Sequence, residues 1–263
     1  MDIQNKTALV TGANGGLGEA IAMHLADAGA KVIVTGRRAD ALKPIAEKTG
    51  AKAIVADLAV RADVNRIEQE AGPVDILIAN AAIPATGHFS ELDEDFIDRT
   101  LEVNLKAPIL MAKYFLAPMV AKGAGHLVFI SSVAGRMPAP GSTMYCAAKY
   151  GMRGFAASLR EDLHGTGVGV STIFPGFIRE AGMFAKTGVK LPSVMGTKTP
   201  AHVADAVIRS IRRDLAEVMV ASVDQRFGAF MSMLTPKLIS SIQRNFGGVA
   251  IAKAIVSSQR NIR

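Results

Sequence analysis

Residues 6–10, KTALV, form a short run of strand character that leads straight into TGANGGLGEAIAMHLADAGA. Apolar residues on both faces of such a run fit a strand buried on both sides. Gly12, Gly16 and Gly18 follow at G-x3-G-x-G spacing, and Ile21, Leu25 and Ala28 then recur at helical spacing. Strand, glycine turn, helix is a demanding order: it aims backbone N–H groups and a helix N-terminus at one point, where a phosphate is held well. Glycine permits the tight turn, and its missing side chain lets a pyrophosphate approach the backbone. A glycine cluster alone is weak evidence, but in this context it reads as a dinucleotide seat.

The rest of the chain repeats the scheme. Strands are expected over 31–35, 51–56, 75–79, 126–130, 168–174 and 216–221, with helices over 39–49, 62–71, 92–121, 143–164 and 199–213. Seven strands alternating with helices give an α/β, doubly wound Rossmann-type fold, a mostly parallel sheet covered on both faces. The catalytic domain is expected over 1–222, followed by a C-terminal helical extension over 223–263. Between the last two strands, 177–198 lacks periodicity and is longer than a plain connection needs. Its apolar residues, Phe177, Ile178, Met183, Phe184, Val189, Leu191, Val194 and Met195, suit a lid over an apolar substrate.

Acid/base equipment lies in FISSVAGRMPAPGSTMYCAAK, residues 129–149. Ser132 falls where a strand ends, the edge at which open α/β sheets place ligands. Tyr145 and Lys149 stand four residues apart on a helix, about 6 Å of rise and nearly one turn, so they share a face. A phenol has an unperturbed pKa of about 10. A neighbouring ammonium is expected to pull that value down, letting Tyr145 move a proton while Ser132 holds a substrate oxygen. Such a Tyr–Lys pair also arises by chance on many helices; the glycine turn, as a hydride source, is what raises its meaning.

The end of the second strand bears on the cofactor. A carboxylate there would bond the ribose 2′-hydroxyl of NAD, whereas this chain has Arg37 and Arg38. Guanidiniums suit a 2′-phosphate, so NADP(H) is expected over NAD(H); the plainer alternative is that both side chains are merely solvated at a helix start. Asp57, at another strand end, could bond the adenine amino group or cap the next helix. Asn104, inside an apolar helical stretch, could mark a local kink or hold a water near the site.

Composition narrows the remaining classes. The 263 residues are 49% hydrophobic and 20% charged, which describes a globular chain. Cys146 is the sole cysteine, so no intrachain disulfide forms and a reducing, cytoplasmic setting is expected. Five scattered histidines offer no ligand spacing, and no metal is expected. The net charge of +7 lies in no stripe beside exposed aromatics, so no nucleic acid is expected. An anionic cofactor, an anionic substrate or an acidic membrane surface accounts for it as well. The N-terminus lacks a signal-peptide core, and no apolar run is long enough to span a bilayer.

TGANGGLG at 11–18, VNL at 103–105, SSVAG at 131–135, YCAAK at 145–149 and PG at 175–176 together resemble the short-chain dehydrogenase/reductase family, in its compact single-domain form, across residues 5–222. The resemblance implies a catalytic tetrad of Asn104, Ser132, Tyr145 and Lys149, with Asn104 holding a water in a proton relay and Lys149 also binding the nicotinamide ribose. It places Gly12, Asn14, Gly16, Leu17 and Gly18 at the pyrophosphate. Arg37, Arg38, Asp57, Leu58 and Asn80 fall on the adenosine half. Tyr145, Lys149, Pro175, Gly176 and Ile178 fall on the nicotinamide half. It further implies a homodimer or homotetramer built on the Tyr-bearing helix, and hydride transfer between nicotinamide and a ketone or secondary alcohol. The substrate expected is small and apolar: acyl-chain, lipid-like or polycyclic. A non-catalytic dinucleotide-binding regulator is the alternative; a nucleotide-sugar epimerase fits poorly, because the chain lacks a separate substrate domain. Two departures stand out: Ala79-Asn80-Ala81-Ala82 replaces the family's Asn-Asn-Ala-Gly, and Glu180 replaces the Thr that helps hold the carboxamide.

In the tail, Phe227, Phe230, Met231, Leu234, Leu238 and Ile242 recur at helical spacing, interrupted by Pro236. Six Lys and Arg stand there against one acid, Asp224. The segment could pack on the domain or a second subunit, or lie on an anionic membrane.

Overall fold

A computed structural model describes residues 1–189, 196–237, 241, 244 and 248–259. Seven strands form one sheet: β1 (Thr7–Thr11), β2 (Lys31–Gly36), β3 (Lys52–Val55), β4 (Ile76–Ala79), β5 (Gly125–Ile130), β6 (Val168–Pro175) and β7 (Glu217–Val220). Their order is β3-β2-β1-β4-β5-β6-β7 and every pairing is parallel. Parallel strands need long return connections, and the alternating sequence supplies helices for them. The strand order reverses at β1, where β1 pairs with β2 on one side and β4 on the other. A crevice therefore opens at the C-terminal ends of these strands, the place where such sheets bind ligands.

Two apolar layers enclose the sheet. Helices α1 (Gly16–Asp27), α2 (Ala39–Thr49) and α7 (Pro200–Arg213) cover one face through residues such as Ile21, Leu25, Leu42, Val203 and Ile211. Helices α3 (Arg61–Ala71), α5 (Ala107–Lys122) and α6 (Thr143–Asp162) cover the other through Val64, Ile67, Met111, Phe115 and Met152. Each fully buried Leu, Ile or Phe contributes roughly 1.5–3 kcal/mol by leaving water. The helix ends follow local chemistry: Gly50 and Gly123 close α2 and α5 in left-handed geometry, and a Thr199–His202 capping box opens α7 ahead of Pro200.

The stretch expected as mostly helical over 92–121 falls into three pieces. Helix α4 spans Glu94–Leu101, a π-turn spans Glu102–Lys106, and α5 follows. The cause is Asn104, which is fully buried and spends both amide atoms on the backbone of Ile83.

At the opposite end of the sheet, His126 Nε2 shares a 2.8 Å hydrogen bond with Ser171 Oγ, which donates at 2.6 Å to the Leu215 carbonyl. Arg160 pairs with Asp214 at 2.7 Å beside them. Burial pushes His126 down to about 4.

Beyond β7, helix α8 (Val223–Leu234) stops ahead of Pro236, as that residue requires. It buries Gln225, Ala229 and Ser232. Helix α9 (Gly248–Gln259) returns to the domain, where Thr86 Oγ1 donates to Gln259 Oε1 at 2.8 Å and both residues are buried. Leu191, Val194, Met195, Leu238 and Ile242 lie outside the described residues. Among the described residues no helix is long and apolar enough to cross a membrane.

Candidate active site

Ser132 lies just past β5 and caps a single 3-10 turn, Val133–Gly135, its Oγ accepting from the Ala134 N–H at 3.1 Å. Ser131 Oγ donates at 3.1 Å to the Lys149 carbonyl, tying this loop to α6. Tyr145 lies in the first turn of α6, its hydroxyl hydrogen-bonded to Ser132. Lys149 follows one turn later, 3% exposed, its Nζ donating at 2.8 Å to the Ile130 carbonyl and standing 5.7 Å from the centroid of the Tyr145 ring. The three side chains expected from sequence are therefore together.

Their titration corrects one expectation. The Tyr145 phenol is not lowered: burial pushes it up to about 12, against the smaller opposing effect of the Ser132 hydrogen bond. Burial likewise pushes Lys149 down to about 8. Desolvation disfavours both charged forms, and the ammonium faces a carbonyl on its other side. The phenol therefore holds its proton through the neutral range, while the buried ammonium beside it gives its own up more readily than a free lysine.

Asn104 Oδ1 accepts from the Ile83 N–H at 2.8 Å, and its Nδ2 donates to the Ile83 carbonyl at 3.0 Å. The local kink read from the sequence is seen here as the π-turn. π-turns of this kind gather at functional sites. With its amide committed, Asn104 anchors the chain at 82–85, part of which walls the cavity; a relay water would take its bond from another atom.

The glycine turn has the geometry a phosphate needs. Gly12 has φ 64°, and a Cβ there would fall 2.7 Å from Ala81 Cα. Helix α1 opens after Gly15 with no side-chain cap, so its first N–H groups keep their donors. Asn80 staples the turn to β4: its Nδ2 donates to the Thr11 and Gly12 carbonyls at 2.8 and 3.2 Å, and its N–H donates to Thr11 Oγ1 at 3.0 Å. The side chain of Asn14 reaches Gly36, where an added Cβ would meet its Oδ1 at 2.6 Å. Arg37 and Arg38 are exposed just past β2, with no ion pair among the described residues. The glycine turn and the open start of α1 fit the pyrophosphate of a dinucleotide.

Asp57 is not the N-cap of the next helix, the second of its two sequence readings. Its Oδ1 accepts from the Ala59 N–H at 2.9 Å, its Oδ2 pairs with Arg99 at 3.0 Å, and Val60, three residues on, is the residue at the N-cap of α3. Leu58 beside it is buried.

A cavity of about 570 Å³ joins these parts. Leu17, Asn80, Ser132, Tyr145 and Lys149 line it, with Pro175, Gly176 and Ile178 at the end of β6. Apolar side chains dominate the remainder, among them Met137, Phe177, Met183 and Phe184. The 177–198 segment has a neck in which Ile178 pairs with Lys198, and beyond it Ala181 sits against Gly16, where an added Cβ would meet its Cβ at 2.1 Å. Glu180 has φ 73°, and its carboxylate pairs with Arg179 at 3.1 Å.

Residues from α8 and α9 complete the wall: Gln225, Phe227, Ala252, Ile255 and Gln259. Sequence reasoning missed these. The helical period of the tail was visible, but no local signal shows that Gln259 meets Thr86 across 173 positions. Among the described residues no cluster of three His, Cys, Asp or Glu side chains is placed to hold a metal.

The short chain dehydrogenase family model matches residues 6–191. The ketoacyl reductase HetN of Nostoc sp. is 32% identical over 261 residues, covering 94% of this chain and 91% of its own. A 3-oxoacyl-[acyl-carrier-protein] reductase, FabG of Rickettsia typhi, is 35% identical over 182 residues, covering 68% of this chain and 75% of its own. Among solved structures, a metagenomic short-chain oxidoreductase in complex with NADP superposes with a TM-score of 0.72 at 28% identity, covering 84% of this chain and 98% of that one.

Proposed function

The chain belongs to the short-chain dehydrogenase/reductase family of oxidoreductases, and on that premise we propose that it interconverts a ketone and a secondary alcohol on an apolar, acyl-chain-like substrate with NADP(H). The observation that carries this reading is the Ser132–Tyr145–Lys149 group at the wall of a mainly apolar cavity that also reaches Leu17 at the start of α1. The two relatives described as ketoacyl reductases support the acyl character of the substrate.

In this reading the bound dinucleotide supplies or takes up the hydride. Gly12, Gly16 and the N-terminus of α1 hold its pyrophosphate, and Arg37 and Arg38 hold a 2′-phosphate. Ser132 orients the carbonyl oxygen. Tyr145 gives its phenolic proton to that oxygen as the carbonyl becomes an alcohol, and takes it back in the reverse direction. Lys149 stabilises the phenolate that forms. Asn104 keeps the 82–85 wall in place through Ile83. Arg179 neutralises Glu180, which keeps that carboxylate from opposing the anionic cofactor. A cytoplasmic location and a homodimer or homotetramer belong to the same reading.

The test is NADPH oxidation against a graded series of β-keto esters, long-chain aldehydes and steroid ketones. Turnover that improves with acyl-chain length is expected. NADPH binding without turnover across the whole series would overturn the reading in favour of a dinucleotide-binding regulator.

A further inference from the structure

Helix α8 has two faces of opposite character. Gln225, Ala229 and Ser232 are buried, while Val223, Phe227, Phe230 and Leu234 are 82%, 63%, 57% and 63% exposed. At about 100° per residue, these four lie within roughly 60° of arc, and exposed Met233 flanks them. Large apolar side chains scattered singly on a surface mean little, but a contiguous strip marks a contact.

Charge says with what. Arg226 lies on α8 and Lys253 on α9, with Lys237 and Arg244 in the chain between them; all four are exposed and have no ion pair among the described residues. Asp224 is the only acid in 223–263. Phe227 belongs both to the exposed strip and to the cavity wall, so the strip is continuous with the cavity.

We propose that α8, with its own Arg226 and the cations that follow in the tail, docks the protein on an anionic lipid bilayer, lying in the interface with Val223, Phe227, Phe230 and Leu234 in the acyl boundary and the cavity beside the membrane. An apolar strip bordered by cations is what an interfacial helix requires, and each cation near an anionic surface adds to the attraction. A second copy of the chain fits worse. A two-fold contact would bring like charges together, and five side chains fall far short of the about 20–30 residues a side found in stable dimers. This surface could hold the enzyme where an apolar substrate is dissolved, yet the docking does not depend on the reaction proposed above.

The test is co-sedimentation of the full chain with vesicles of phosphatidylcholine alone and of phosphatidylcholine and phosphatidylglycerol in equal parts, at low and high salt. Binding to the anionic vesicles, weakened by salt, is expected. F230S/L234S should lower the partition coefficient about tenfold or more. K237Q/R244Q should lower it about fivefold per cation removed. None of these four residues lines the cavity, so both variants should reduce a short, soluble ketone at the wild-type rate, which also reports that they are folded. Absent reduction in all three proteins counts against the proposed reaction, while sedimentation still decides the docking. Wild-type protein that stays in solution with anionic vesicles overturns the proposal, as do variants that sediment unchanged. A smaller particle for F230S/L234S by light scattering, with sedimentation unchanged, assigns the strip to a second copy.

Discussion

Lys149 stands 5.7 Å from the centroid of the Tyr145 ring while its ammonium donates to the Ile130 carbonyl at 2.8 Å. The ammonium is thus fixed by β5 rather than by the phenol. Burial brings it to about 8, so it loses its proton as pH rises through that value. For the free enzyme, kcat/KM is expected to fall above about pH 8. Lys149→Arg, which stays protonated, should move this alkaline limb to higher pH. A profile unchanged by that substitution would remove Lys149 from the proton chemistry.

Tyr145→Phe deletes one oxygen and the proton it carries. Turnover is expected to fall by about 10²–10⁴-fold, the range of a positioned acid, with NADPH affinity retained. The checks are steady-state kinetics and fluorescence titration of NADPH. Near-normal turnover would mean that another group delivers the proton.

Arg37 and Arg38 are exposed, and no carboxylate stands beside them at the end of β2. If they hold the 2′-phosphate as proposed, replacing both with Ala would remove charge-assisted bonds worth roughly 1.5–3 kcal/mol each. The Kd for NADPH is expected to rise at least about tenfold, with that for NADH little changed. Calorimetric titration of both cofactors decides it. Equal losses for the two would place the arginines away from the 2′-phosphate.

His126 is held neutral, burial pushing it down to about 4 from the ordinary histidine value of about 6.5. Between these values the unfolded chain binds more protons, so stability is lost as pH falls from about 6.5 towards 4, by up to about 3 kcal/mol. Urea melts of the wild type and of His126→Gln across that window isolate this contribution. The difference in stability between the two proteins should vary with pH, with the wild type losing more on acidification.

Much of the fold is legible because parallel strands buried on both faces read as plain apolar runs. Residues 31–35 and 75–79 stand out, and the structure moves their ends by only a residue. The Ser132–Tyr145–Lys149 group is legible for a different reason: a strand end and one helical turn are local geometry. What escapes is non-local. The kink at Asn104 is readable, but its anchor on Ile83, 21 residues away, is not, nor is the wall that Gln259 forms against Thr86. The direction of the Tyr145 shift escapes too, since sequence shows the neighbouring charge but not how much water burial removes.

Because all seven strands run the same way, everything argued above about hydride, proton and cofactor gathers at one rim of the sheet, while His126, Ser171 and the Arg160–Asp214 pair occupy the other. Heat tolerance and turnover can therefore be engineered independently. Repacking the lower rim should raise or lower the melting temperature without retuning the reaction, and libraries aimed at new substrates can leave that rim untouched.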